Sequence, residues 1–104
     1  MIGHLFVQSF LIILWIAKNT WRDMMQTREA VAKRIRELCR RRGWTPNHLA
    51  NVSAVPQATI KSILNGESAN PGVVTIKKLC DGFEITLSEF FSTEDFDNLE
   101  QEIK

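Results

Sequence analysis

Cysteine is scarce in this chain. Cys39 and Cys80 are the two present in 104 residues, which excludes a disulfide framework, and no zinc-type spacing accompanies them; reduced, buried thiols are expected. No glycine-rich phosphate loop follows a strand. His4 and His48 are the two histidines, and neither stands with a Cys or Ser and a carboxylate orienter in a recognisable motif, so no enzyme, metal or cofactor is expected. His48 reads as a plain surface residue. No run alternates apolar and polar residues over strand length, no hairpin turn is visible, and internal repeats and low-complexity tracts are missing. What is present is 44% hydrophobic and 24% charged, a globular composition of a size suited to one compact domain.

The net charge of +1 conceals an asymmetry. Residues 28–78 carry ten Lys/Arg against three acids, while residues 81–104 carry one Lys against eight acids. A basic body suits a polyanionic partner, and an acidic tail belongs away from that partner. Residues 5–17 are nearly all apolar but shorter than the roughly 20 residues of a membrane span. The front end has no Lys or Arg, which makes a poor signal peptide. Three readings of residues 1–24 are open: translation naturally beginning at Met24 or Met25, which is favoured here; a helix that packs on the domain or on a second copy; and a membrane anchor. The domain from Met25 onward is expected to fold and bind its partner without them.

From Thr27 the pattern is helical. Val31, Ile35, Leu38 and Cys39 recur at three- and four-residue spacing. Arg40, Arg41 and Arg42 close this first helix, and Gly43 suits the left-handed position beyond it. Thr45-Pro46 starts a second helix with a capping hydroxyl and a proline in the first turn; Leu49, Ala50 and Val52 are its expected apolar face. Ser53-Ala54-Val55 is a turn. Pro56 starts a third helix with Ile60, Ile63 and Leu64 inward, ended by Asn65-Gly66. After a loop at 67–72, a fourth helix over 73–83 turns Val73, Ile76, Leu79, Cys80 and Phe83 to one side. Thr86 and Glu89 predict a capping box for a short fifth helix whose Phe90 and Phe91 enter the core. A sixth helix over 93–103 is expected, with Phe96, Leu99 and Ile103 as its apolar line. Trp44 reads as core or rim packing.

Residues 46–65 meet the demands of a helix-turn-helix. Ala50 is the small residue expected where the two helices approach, and Leu49, Val55, Ile60 and Ile63 are the contacts that fix one to the other. Gln57, Ala58, Lys61 and Ser62 form a polar outward face on the third helix, free to enter a major groove.

The strings Gly43-Trp44-Thr45, Leu49-Ala50, Ser53-Ala54-Val55 and Ala58-Thr59-Ile60 carry a family resemblance, with Ile63, Asn65 and Gly66. Thr75-Ile76, Leu79 and Ile85-Thr86-Leu87-Ser88-Glu89-Phe90 continue it. Over residues 29–91 the chain resembles the Cro and phage-repressor type of helix-turn-helix, also called XRE-like. The resemblance implies an all-α, five-helix phage-repressor-like DNA-binding domain over 25–92. An apolar helical extension (1–24) precedes it and an acidic extension (93–104) follows. It implies that Gln57, Ala58, Lys61 and Ser62 contact bases, Gln57 as an adenine reader. Thr45, Asn47, Thr59 and Asn65 are then phosphate contacts.

Departures from the family pattern are specific. Ala54 stands where the turn usually has glycine, and is strained there if φ is positive. Pro46 replaces a glutamine, Glu84 replaces a glycine, and the loop at 67–72 lacks the basic residues that often clamp phosphate. The usual buried Arg–Glu pair falls on Cys39 and Leu64, which are expected to touch in the core and link the first helix to the third; removing both charges leaves no orphan. The function implied is a cytoplasmic transcriptional regulator, a repressor acting as a homodimer on double-stranded DNA, with no small-molecule ligand evident. The rivals are a protein-interaction module on the same fold and a membrane-tethered regulator.

Overall fold

The computed structural model describes residues 11–13 and 25–103. Residues 11–13 are helical and exposed; the other expectations for residues 1–24 lie outside the described residues. Among those, the domain is all-helical, and no strand occurs. The helices are α1 (Thr27–Arg42), α2 (Pro46–Ser53), α3 (Gln57–Leu64), α4 (Val73–Phe83), α5 (Leu87–Phe90) and α6 (Glu94–Asp97).

Local chemistry sets the ends of these elements. The Gln26 N–H donates to the Glu29 carboxylate at 3.4 Å, where an acid also favours the positive end of the α1 dipole. At the other end Gly43 adopts φ +67°. Its N–H reaches the Arg40 carbonyl at 3.2 Å, and the Trp44 N–H reaches that of Cys39 at 2.9 Å, the paired bonds of a left-handed helix stop. Thr45 caps α2 through its Oγ1, which accepts from the His48 N–H at 3.1 Å. Thr86 does the same for α5, accepting from the Glu89 N–H at 3.0 Å. Ala54 and Glu84 both lie in the left-handed region, at φ +56° and +59°. These are two of the departures read from the sequence, and each puts a Cβ where glycine is cheaper.

The core gathers Ile35 from α1, Leu49 from α2, Ile60 and Ile63 from α3, Leu79, Cys80 and Phe83 from α4, and Phe90 from α5. Cys39 is buried, and Leu64 packs half-buried against the same cluster. Both thiols are free, and burial pushes their pKa up, so they stay protonated and unreactive. Trp44 is half-buried and stacks on Phe83 with ring centroids 5.5 Å apart.

Several expectations are corrected. Val52 is exposed, because α2 turns only Leu49 and Ser53 fully inward. Val73 is 75% exposed, since the first turn of α4 extends past the neighbours that cover Ile76. Phe90 is fully buried, but Phe91 sits at the rim. α6 is a single turn; Ile103 is 90% exposed and draws no helix out to 103. α2 also approaches α4 closely, at Ser53. A Cβ on Gly82 of α4 would lie 3.0 Å from the Ser53 Cβ and 3.2 Å from its Cα. The Ser53 hydroxyl is satisfied by donating to the Leu49 carbonyl at 2.6 Å.

Arg34, unremarked in the sequence, is buried at 5% exposure. Its Nε donates to the Phe90 carbonyl at 2.8 Å, and its Nη2 to that of Glu89 at 2.9 Å. Glu37 pairs with it at 3.2 Å. Two further α1 arginines act alike: Arg36 donates to the Leu64 carbonyl and Arg42 to that of Phe83. Each guanidinium therefore meets carbonyls at the C-terminal end of a different helix, α5, α3 or α4, where helix geometry leaves acceptors unpaired and the dipole is negative.

Candidate nucleic-acid interface

α3 is held by its inward stripe. Ile60 and Ile63 are buried against α1 and α2, so the opposite face must look outward. Gln57, Ala58 and Lys61 are exposed on that face; Ser62 is half-buried. Its carbonyl accepts the Glu67 and Ser68 N–H groups at 3.0 and 3.2 Å, so the chain beyond α3 folds back over this residue. Of the four base-contact candidates, Ser62 is the one set furthest from the open surface.

The phosphate candidates divide into two groups. Thr45 and Asn47 are exposed at the N-terminal end of α2. The Thr45 hydroxyl accepts from within the helix but retains its proton to donate outward. Asn47 also accepts, through Oδ1, a hydrogen bond from the Gln57 Nε2. That contact crosses the turn and joins the start of α2 to the start of α3. An open recess of about 430 Å³, lined in part by Asn47, Asn51, Pro56 and Gln57, lies beside it. Thr59 is half-buried on α3, and Asn65 is exposed at its far end. Asn47 and Gln57 are thus brought together, with Thr45 at the cap of α2, while Asn65 belongs to a separate surface with Arg28 and Arg36 of α1.

Those two arginines were not singled out by the sequence reading. The available signal was the spacing 28–32–36, which puts Arg28, Ala32 and Arg36 along one side of α1. Among the described residues, no group of three or more His, Cys, Asp or Glu is placed to hold a metal ion. No described helix is long and apolar enough to cross a membrane.

Residues 34–95 match the family model of the Cro/C1-type HTH DNA-binding domain. No curated protein and no solved structure matches the chain.

Proposed function

The chain belongs to the Cro/C1-type helix-turn-helix DNA-binding domain family, and from that premise we propose a cytoplasmic repressor that reads double-stranded DNA sequence-specifically. α3 lies in the major groove. Gln57, Ala58, Lys61 and Ser62 meet base edges, and Thr45, Asn47, Thr59 and Asn65 meet the phosphates on either side.

The observation that carries this reading is the Asn47–Gln57 hydrogen bond. It uses one Nε2–H of the Gln57 amide. The second Nε2–H and the Oε1 remain for adenine N7 and N6, a bidentate pairing that discriminates against other bases. A side chain already held by its neighbour loses less rotamer freedom on binding than a free one. The chain acts as a homodimer, so that two copies of α3 reach half-sites one helical turn apart, about 34 Å.

The test is selection of bound duplexes from a random pool, followed by a salt titration on the enriched sequence. Enrichment of a two-fold-related site, with affinity falling steeply as salt rises, is the expected result. Failure to enrich any duplex removes the reading and favours a protein partner for the α3 face.

A further inference from the structure

The loop after α3, residues 67–72, contains no Lys or Arg. The fold brings two arginines to this place from another element. A recess of about 270 Å³ separates α1 from the end of α3; Arg28, Ala32 and Arg36 line one wall, and Asn65 and Gly66 the other. We infer that this recess is a second phosphate-binding site for the DNA backbone, with Arg28 and Arg36 supplying the charge that the loop lacks. The inference rests on the DNA-binding reading above.

Arg36 is aimed by its hydrogen bond to the Leu64 carbonyl. A carbonyl is neutral, so the guanidinium keeps its full charge, and a guanidinium has further N–H donors to offer an anion. Arg28 lies eight residues away, about 12 Å along the helix axis. Two arginines so spaced can reach different phosphates of a continuous backbone, which a single free phosphate does not offer. Glu29 also lines the recess and keeps its charge, but its carboxylate is turned to the Gln26 N–H at the start of α1, and the two arginines outnumber it. The two arginines are not equivalent. On its other side Arg28 borders a recess shared with Glu100, Gln101 and Glu102, and Glu102 is fastened there by the Thr27 hydroxyl at 2.9 Å. The acidic tail competes with phosphate for Arg28, so Arg36 contributes the larger part.

The experiment is a salt titration of the full chain on its selected duplex and on an unrelated duplex. The variants are Arg28→Gln, Arg36→Gln, the double substitution and Arg36→Lys, with Lys77→Gln as an equal charge change on α4. Thermal melts check that each variant is folded. Each phosphate contact contributes about 0.9 to the slope of log affinity against log salt. Arg36→Gln is expected to lower the slope by about 0.9, Arg28→Gln by less, and the double variant by the sum of the two. The loss should be equal on both duplexes, because phosphate carries no sequence information. Arg36→Lys and Lys77→Gln should leave the slope unchanged. An unaltered slope in the folded double variant overturns the inference, as does an equal drop in Lys77→Gln. If the unsubstituted chain binds neither duplex, the DNA-binding reading itself has failed.

Discussion

α1 carries seven Lys/Arg in sixteen residues, and α3 carries one in eight, yet α3 is the helix with its polar face turned outward. Much of the α1 charge is directed at the protein itself. Arg34, Arg36 and Arg42 donate to carbonyls. Lys33 pairs with Asp95 at 2.8 Å, and Arg41 with Glu37 at 2.6 Å. The sole cation of α3, Lys61, is exposed on the candidate reading face. The acids Asp95 and Glu37 offset part of this charge, whereas Arg36 and Arg42, on neutral carbonyls, keep theirs. Placement decides the role of each basic residue: buried Arg34 holds the fold, while exposed Arg36 of α1 and Lys61 of α3 are positioned to meet a partner.

The sharpest way to break this contrast is to remove the most internal arginine. Arg34→Met keeps the volume but leaves the carbonyls of Glu89 and Phe90 without their charged donor, and Glu37 loses a partner. A loss of about 3 kcal/mol in urea unfolding is expected. A loss under about 1 kcal/mol would mean that solvent replaces the guanidinium and that α5 is held by apolar packing alone. From the other side, Gln57→Ala is expected to weaken binding to the preferred site by about 2 kcal/mol and to relax preference at one base pair. Its melting temperature should fall only slightly, since the Asn47 bond it gives up is exposed to solvent. An equal loss on every duplex would reassign Gln57 from bases to phosphates.

Much of the contrast was legible in the chain, and the misses have causes. The bounds of α1 to α4 follow from capping and stop residues such as Thr45, Gly43 and Asn65-Gly66, whose preferences act locally. The outward face of α3 follows from the spacing of Ile60 and Ile63. Arg34 was not legible, because charge on an amphipathic helix is expected at the surface; its burial depends on carbonyls 55 and 56 residues further along. Val73 and Phe91 were misread for a related reason. Periodicity says which side of a helix is apolar, but not how far the neighbouring elements extend to cover it. The Asn47–Gln57 bond likewise depends on the geometry of the turn, which no spacing rule gives.

Two smaller effects refine the comparison. Ala54→Gly, in the turn between α2 and α3, and Glu84→Gly, after α4, each relieve a left-handed alanine or glutamate. Each should stabilise the domain by about 0.5–1 kcal/mol, the relief of backbone strain exceeding the added entropy of the unfolded chain. Destabilisation by either would show that its side chain makes a contact worth more than the strain. Smallest of all, Asp81→Asn removes the partner of Lys77 within one exposed turn of α4 and should shift stability by no more than about 0.5 kcal/mol. A larger loss would show a surface ion pair on α4 rivalling the buried Arg34 of α1.

The three arginine clamps of α1 have a consequence for how the domain opens. The final turns of α3, α4 and α5 are each tied to one helix, so none can fray fully without releasing a guanidinium from α1. Loss of α1 unfastens all three together. The amide protons of those three turns should exchange with solvent through one shared opening event and at a common free energy, rather than each by its own local fluctuation. α1 then works as the keystone that joins α3, α4 and α5 in one cooperative unit, although it contributes no residue to the candidate reading face on α3.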